Sequence, residues 1–220
     1  MSRTVTKAPK DGGWRSYAQS LLLAVLLALV FRQFVLQAFR IPSQSMEQTL
    51  LKGDFLFVTK FLYGSPVPFT DWRLPKLRAP RRGDIIVFKS PSDGRDFIKR
   101  CVAVAGDTVE VRGKDLYVNR KRPVEPYAHH VDPRVYPPSP SSREPFGTHR
   151  RDFFGPYVVP PGNIFMMGDN RDNSADGRFW GPLPLGNIKG KAMFIYFSID
   201  TDRGLFPPHL RLRRIGKLIH

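Results

Sequence analysis

The sequence predicts a mostly β protein, an antiparallel sheet or partly open barrel carried behind one N-terminal transmembrane helix. Three observations carry that expectation. Short apolar runs such as Ile85-Ile86-Val87-Phe88 recur between turn residues. Pro (21) and Gly (18) gather between those runs, which suits many strands and turns better than a helical bundle. One unbroken stretch of eleven apolar residues, Leu21 to Phe31, stands near the start. With 220 residues and 41% hydrophobic content, the chain can bury one real core and still carry an anchor.

Three segments follow: a basic N-terminus over 1–16, an anchor over 17–37 and a β domain over 38–220. Arg3, Lys7, Lys10 and Arg15 precede the apolar run, Arg32 and Gln33 interrupt it, and Phe34 to Phe39 resumes it. Two readings compete. Eleven apolar residues behind a basic region is the size of a secretory signal core, with cleavage near Ala38. Alternatively, Tyr17 to Gln37 is one spanning helix with Arg32 snorkelling to the interface. Leu36 would stand at −3 of an Ala38 cut, larger than such sites prefer, so the uncleaved anchor is the better reading. The preceding basic residues then place the N-terminus in the cytoplasm and the β domain outside.

Further along, Asp54 to Phe61 reads as a strand and Pro66 to Arg82 as a Pro- and Arg-rich connection. Arg82-Gly83-Asp84 turns into the strand Ile85 to Phe88, and Asp93-Gly94 turns into the strand Asp96 to Val104. Thr108 to Val111 and Leu116 to Asn119 form a hairpin around Gly113-Lys114. Residues 123–150 hold seven prolines and no periodicity, as expected of a long surface insertion. Regularity returns at Tyr157 to Val159, Asn163 to Met167 and Lys191 to Ser198, and a basic tail, Arg211 to His220, reads as solvated.

The net charge of +16, from 35 Lys+Arg against 19 Asp+Glu, fits nucleic acid or an anionic membrane surface. No aromatic-basic RNA motif, zinc pattern or basic helix occurs, so nucleic acid is not expected. A single cysteine, Cys101, excludes an intramolecular disulfide and a Cys-based zinc site.

Ser45, in Ile41-Pro42-Ser43-Gln44-Ser45-Met46, directly follows the hydrophobic segment. Read alone, Ser43 and Ser45 are equally turn or cap residues, with Glu47 and Gln48 opening a short helix. Lys99 is a possible base. In a strand it shares a face with Phe97 and Cys101. Burial there would lower its pKa and let it take a proton from a serine; a solvent-edge lysine is the plain alternative. In Gly168 to Gly181, Asp172, Ser174, Asp176 and Gly177 imitate a calcium loop. Leu183 stands where the bidentate Glu is needed, so calcium is rejected. Ser174 there can instead orient an amine, with Asp176 and Arg178 bracing it. No Gly-x-Ser-x-Gly elbow exists, and nothing points to a histidine base.

Taken in order, these stretches resemble bacterial type I signal peptidase, a membrane-anchored serine protease family. The resemblance rests on the anchor, Pro42 to Met46 with Thr49-Leu50, Arg82 to Phe88, Phe97-Ile98-Lys99-Arg100 with Gly106-Asp107, and Gly168 to Gly181. It implies Ser45 as nucleophile, Lys99 as general base and Ser174 as the residue orienting Lys99. It implies an oxyanion hole from the Ser43 hydroxyl and the Ser45 amide, supported by Asp176 and Arg178. Phe39, Ile41, Pro42, Met46, Leu50, Phe97 and Ile98 would shape pockets for small residues at −1 and −3. The implied reaction needs neither metal nor cofactor. The implied partners are signal peptides of exported preproteins, anionic lipids and the export translocon, at the cytoplasmic membrane of a bacterium. Gln48, Cys101, Ala105 and Gly177 depart from the family pattern; the Gly177 departure predicts a looser support of Lys99. A self-cleaving Ser–Lys repressor would need an N-terminal DNA-binding domain, and residues 1–40 offer none. An idle membrane-anchored binding protein would have no need of Ser45, Lys99 and Ser174 together.

Overall fold

A computed structural model describes residues 13–34, 36–64, 70, 72, 75–137, 150–202 and 209–220. The basic N-terminus over 1–12, much of the 66–82 connection and residues 138–149 of the expected insertion lie outside the described residues. The fold is mostly β, and every pairing between its strands is antiparallel.

A helix, α1, spans Trp14–Phe34. It begins earlier and ends earlier than the expected 17–37. Leu36 and Gln37 belong instead to strand β1, Leu36–Arg40, whose five residues pair with β2, Asp54–Thr59. Strand pairing captures these residues because Phe39 packs onto the core, which a continued helix would forfeit. No helix among the described residues is long and apolar enough to cross a membrane.

The remaining strands are β3, Ile85–Lys89; β4, Asp96–Val104; β5, Thr108–Arg112; β6, Asp115–Val118; β7, Phe154–Val158; β8, Asn163–Met167; β9, Leu183–Pro184; β10, Ile188–Asp200; and β11, His209–Leu210. The main sheet runs β1-β2-β10-β3-β4-β8-β9, with β11 added to β10. A small sheet has the order β6-β5-β7. A single-turn helix, α2, covers Gly177–Trp180. The β3 run is apolar on both faces because both are covered. Ile85 and Val87 enter one core cluster with Leu56, Val58 and Ile195, while Ile86 and Phe88 enter another with Cys101 and Met166. A third cluster joins the small sheet to the main one through Val109, Val111, Phe154 and Phe165.

Two sequence expectations change. The tail is docked rather than solvated. Ile219 is buried at 5% exposure, Phe194 bridges Leu218, and Arg214 binds the fully buried Asp54 at 2.5 Å. An apolar Ile and a countercharge, interleaved with exposed basic residues, give it a buried side. Residues 123–137 are likewise ordered against the body of the protein, with an isolated bridge from His129 to Asn170.

Candidate active site

The loop after β1 is anchored before it reaches its serines. Ile41 N donates to Asp54 O at 2.8 Å, and Gly53 N to Ile41 O at 3.0 Å. Ile41, Met46 and Leu50 point inward and are almost wholly buried in one core cluster. Those apolar plugs leave Ser43 exposed and Ser45 at the rim, 7% exposed. No helix opens at Glu47; residues 44–50 form turns, and Gln48 adopts a left-handed φ of 74°.

Lys99 comes from β4, directly opposite Ile86 of β3. Its face is apolar: Nζ lies 5.3 Å from the Phe97 ring centroid, and the side chain is 4% exposed. Burial pushes the lysine down to about 8, only partly opposed by the carboxylates of Asp176 and Asp169. Nζ stands 2.5 Å from Ser45 Oγ across a sequence separation of 54 residues. Ser43 Oγ lies 3.3 Å from Ser45 Oγ.

The loop after β8 closes the site from the other side. Gly168 permits a close approach: a Cβ there would sit 2.2 Å from Ser174 Oγ and 2.5 Å from Ser45 O. Asn170 N donates to Ser45 O at 3.2 Å, and its amide side chain donates to Gln44 O at 3.2 Å and to Glu47 Oε2 at 3.1 Å. Asp176 is fully buried. Burial pushes its carboxyl up, but Arg178 outweighs this and keeps it below the usual carboxylate range. Arg178 reaches both Asp176 oxygens, at 2.9 and 2.8 Å, and Gly168 N donates to Asp176 Oδ2 at 3.0 Å. Ser174 is buried but its hydroxyl makes no hydrogen bond of good geometry, to Lys99 or to any other group. It nevertheless adds to the field that holds Asp176 ionised. The expected Ser174–Lys99 hydrogen bond is thus not formed here.

These groups border a cleft of about 450 Å³ lined by Pro42, Ser43, Ser45, Phe97, Ile98 and Lys99, and also by Gln44, Arg95, Asp96, Asn173 and Ala175. A larger hollow, about 540 Å³, lies on the small sheet between Thr108 and Pro156, but no nucleophile and base meet there. Of the expected pocket residues, Pro42, Phe97 and Ile98 line the cleft. Ile41, Met46 and Leu50 lie beneath it in the core, and Phe39 is half-buried against that core. The reason is physical: the core takes the apolar side chains of Ile41, Met46 and Leu50, and the turns between them leave Pro42, Ser43 and Gln44 exposed.

Three contributors were not anticipated. Gly168 separates the Ser45 loop from Ser174. Asn170 holds the Ser45 loop. Arg100, beside Lys99, is buried and binds Asp169 through two bonds of 2.8 and 2.7 Å. The sequence signal for Arg100 was its place on the face opposite Lys99, where an unpaired cation could not stay. Among the described residues, no cluster of His, Cys, Asp and Glu has the makings of a metal site.

The family model described as "Signal peptidase, peptidase S26" matches residues 14–197. This chain belongs to that family. Signal peptidase I of Buchnera aphidicola subsp. Schizaphis graminum is 30% identical, covering 90% of this chain and 80% of its own. The Pseudomonas fluorescens enzyme of the same name is 35% identical, with 88% and 76% covered. The Aquifex aeolicus enzyme is 35% identical, with 84% of each covered. The protein is therefore a peptidase of the signal peptidase I type, a hydrolase.

Proposed function

We propose that this peptidase cleaves signal peptides after small residues, at Ala-x-Ala type sites, with Ser45 as nucleophile and Lys99 as general base. The observation that carries the reading is the 2.5 Å approach of a desolvated lysine Nζ to a serine Oγ at the floor of a cleft. Above its pKa of about 8, Lys99 holds a lone pair. It takes the Ser45 proton as Oγ attacks the scissile carbonyl carbon. The carbonyl oxygen becomes an oxyanion, met by the Ser45 amide and the Ser43 hydroxyl; one such donor is typically worth about 2.7–4 kcal/mol. Lys99 then passes its proton to the leaving amine, and the C–N bond breaks. A water, deprotonated by Lys99, attacks the acyl-enzyme ester and frees Ser45.

Asp176 and Arg178 support the site by fixing the loop that carries Ser174. Ser174 orients Lys99 once its rotamer turns away from Asp176 toward Nζ, its hydroxyl being held by no well-formed hydrogen bond. Phe39, Pro42, Phe97 and Ile98 shape the shallow walls for the substrate, with Ile41, Met46 and Leu50 seating them from below. The reading includes α1 as a lipid-facing anchor in the bacterial cytoplasmic membrane. Leu21, Leu22, Leu23 and Leu27 of that helix are all more than half exposed, an apolar surface that lipid would cover. Anionic lipids would attract the +16 chain, and the translocon would deliver preproteins to it.

The test is a purified enzyme and a peptide bearing an Ala-x-Ala site. Ser45→Ala and Lys99→Ala should each abolish cleavage while leaving the circular dichroism unchanged. Substantial activity in either variant removes the Ser–Lys assignment.

A further inference from the structure

Residues 123–137 were expected to be a plain surface insertion, yet they touch the loop after β8, the catalytic loop, at three places and β4 at a fourth. Glu125 receives Arg171 through both carboxylate oxygens, at 2.9 and 2.6 Å. Tyr127 lies flat beneath the Arg100 guanidinium, 3.6 Å from its ring centroid. His129 N donates to Asp169 O at 2.7 Å and His129 O accepts from Arg171 N at 2.8 Å, a parallel bridge to the loop. Asp132 N donates to Asp172 Oδ2 at 2.9 Å. No other segment follows the loop residue by residue from Asp169 to Asp172 among the described residues.

We propose that residues 125–132 are a strap that sets the position of the catalytic loop, and that Glu125, acting through Arg171, is its positioning residue. This rests on the Ser45–Lys99 reading. Arg171 is 2% exposed, and its Nε donates to Gly168 O at 3.1 Å. A guanidinium so buried stays in place only with a carboxylate facing it. Glu125 supplies that carboxylate at 10% exposure. Gly168, the carbonyl it steadies, is the residue wedged between Ser174 Oγ and Ser45 O, and Asn170 two residues on bonds Ser45 O. Displacement of Arg171 therefore reaches the nucleophile through two bonds. Of the cleft lining, Asn173 and Ala175 belong to the loop that the strap holds, whereas the apolar walls Pro42, Phe97 and Ile98 belong to other elements. The strap thus controls turnover more than substrate affinity.

Glu125→Gln keeps shape and removes the charge. Its kcat should fall on the order of 10- to 100-fold, the scale of a sub-ångström to 1 Å misplacement, with KM within about twofold, an order-of-magnitude bound on the same principle. Glu125→Asp, which retains the carboxylate, should recover most of the loss. A structural role alone would lower the melting temperature without splitting kcat from KM and without that rescue. Unchanged kcat in Glu125→Gln overturns the proposal, and so does a parallel rise in KM. If Glu125→Gln does not fold, the double variant Glu125→Leu with Arg171→Met removes both charges, an exchange that buried ion pairs commonly tolerate. It should fold and still lose kcat, because the bond to Gly168 O is gone; a stable, fully active double variant overturns the proposal. Ser45→Ala in the same series separates the two ideas. Activity there sinks the dyad, whereas an inactive Ser45→Ala beside a fully active Glu125→Gln sinks only the strap.

Discussion

Lys99 answers two opposed demands. Burial strips water from its ammonium and makes the amine available; the same burial costs stability. Its pKa of about 8 in the fold lies below the 10.5 of the free side chain. Between those values the unfolded chain binds more protons, so stability should rise with pH over that window. At pH 7, below both values, the penalty is about 3 kcal/mol, the gap between 10.5 and 8 at 1.36 kcal/mol per unit, with the opposing pull of Asp176 already contained in it. Lys99→Met should therefore be inactive yet more stable to urea at pH 7 than the parent, with the gain shrinking by pH 10. Turnover should climb to a plateau with a midpoint near pH 8, as Lys99 loses its proton. Asp176 raises that pKa, so Asp176→Asn should move the midpoint below pH 8 while lowering the plateau, because Arg178 loses its partner. A profile flat from pH 6 to 9 in the parent contradicts the assignment of the base.

Among the elements, β4 and the loop after β8 differ in how far the sequence revealed them. Asp96 to Val104 was legible because it is a strand in the plain sense, and its alternation put Lys99 with Phe97 and Cys101. The loop from Gly168 was legible as polar and as a brace, but its contacts were not. Partners such as Glu125, Arg100 and Gln44 lie 46, 69 and 126 residues away, and no local pattern encodes an approach between Gly168 and Ser45 O. The same limit hid the start of β1, where Leu36 and Gln37 looked like the end of the helix because strand and helix share an apolar composition over so few residues. Gly168→Ala tests what the loop requires. Ser174 Oγ could swing aside, but Ser45 O is backbone, so the nucleophile itself must shift. A loss on the order of 10²-fold in kcat follows from a displacement of that size, with about 1–3 kcal/mol of destabilisation from overpacking. Full activity in Gly168→Ala would mean that the two loops are not held in contact. Gly177 teaches the opposite lesson from the one its departure suggested. A Cβ there would meet Met166 O at 2.9 Å and the Phe165 ring at 3.0 Å. In this chain the missing side chain is a packing fit rather than a gap in the support of Lys99.

At the scale of the molecule, some of the many cations are structural. Arg214 is bound to buried Asp54, which also accepts from Ser198 Oγ at 2.7 Å, and Arg211 pairs with Asp200 at 3.1 Å. Charge counting could not separate such internal cations from those left to face lipid, which is why the tail read as solvated. Docking turns that tail into a back wall for the site. Ile219 enters the same cluster as Met46 and Leu50, whose burial seats the nucleophile loop, and His220 O accepts from Arg100 Nη1 at 2.9 Å. Ile219→Ala should thus cost about 2–5 kcal/mol, as for other buried aliphatic truncations. It should also lower kcat at temperatures well below its melt, since the cavity opens in the cluster that seats Met46 and Leu50. Leu218, 58% exposed one residue earlier, is the control; Leu218→Ala should stay within about 0.5 kcal/mol of the parent, as surface changes do. Urea unfolding and peptide cleavage on the pair decide it. If both variants behave alike, the tail is held by its backbone bridge alone, and the core beneath the nucleophile does not depend on it.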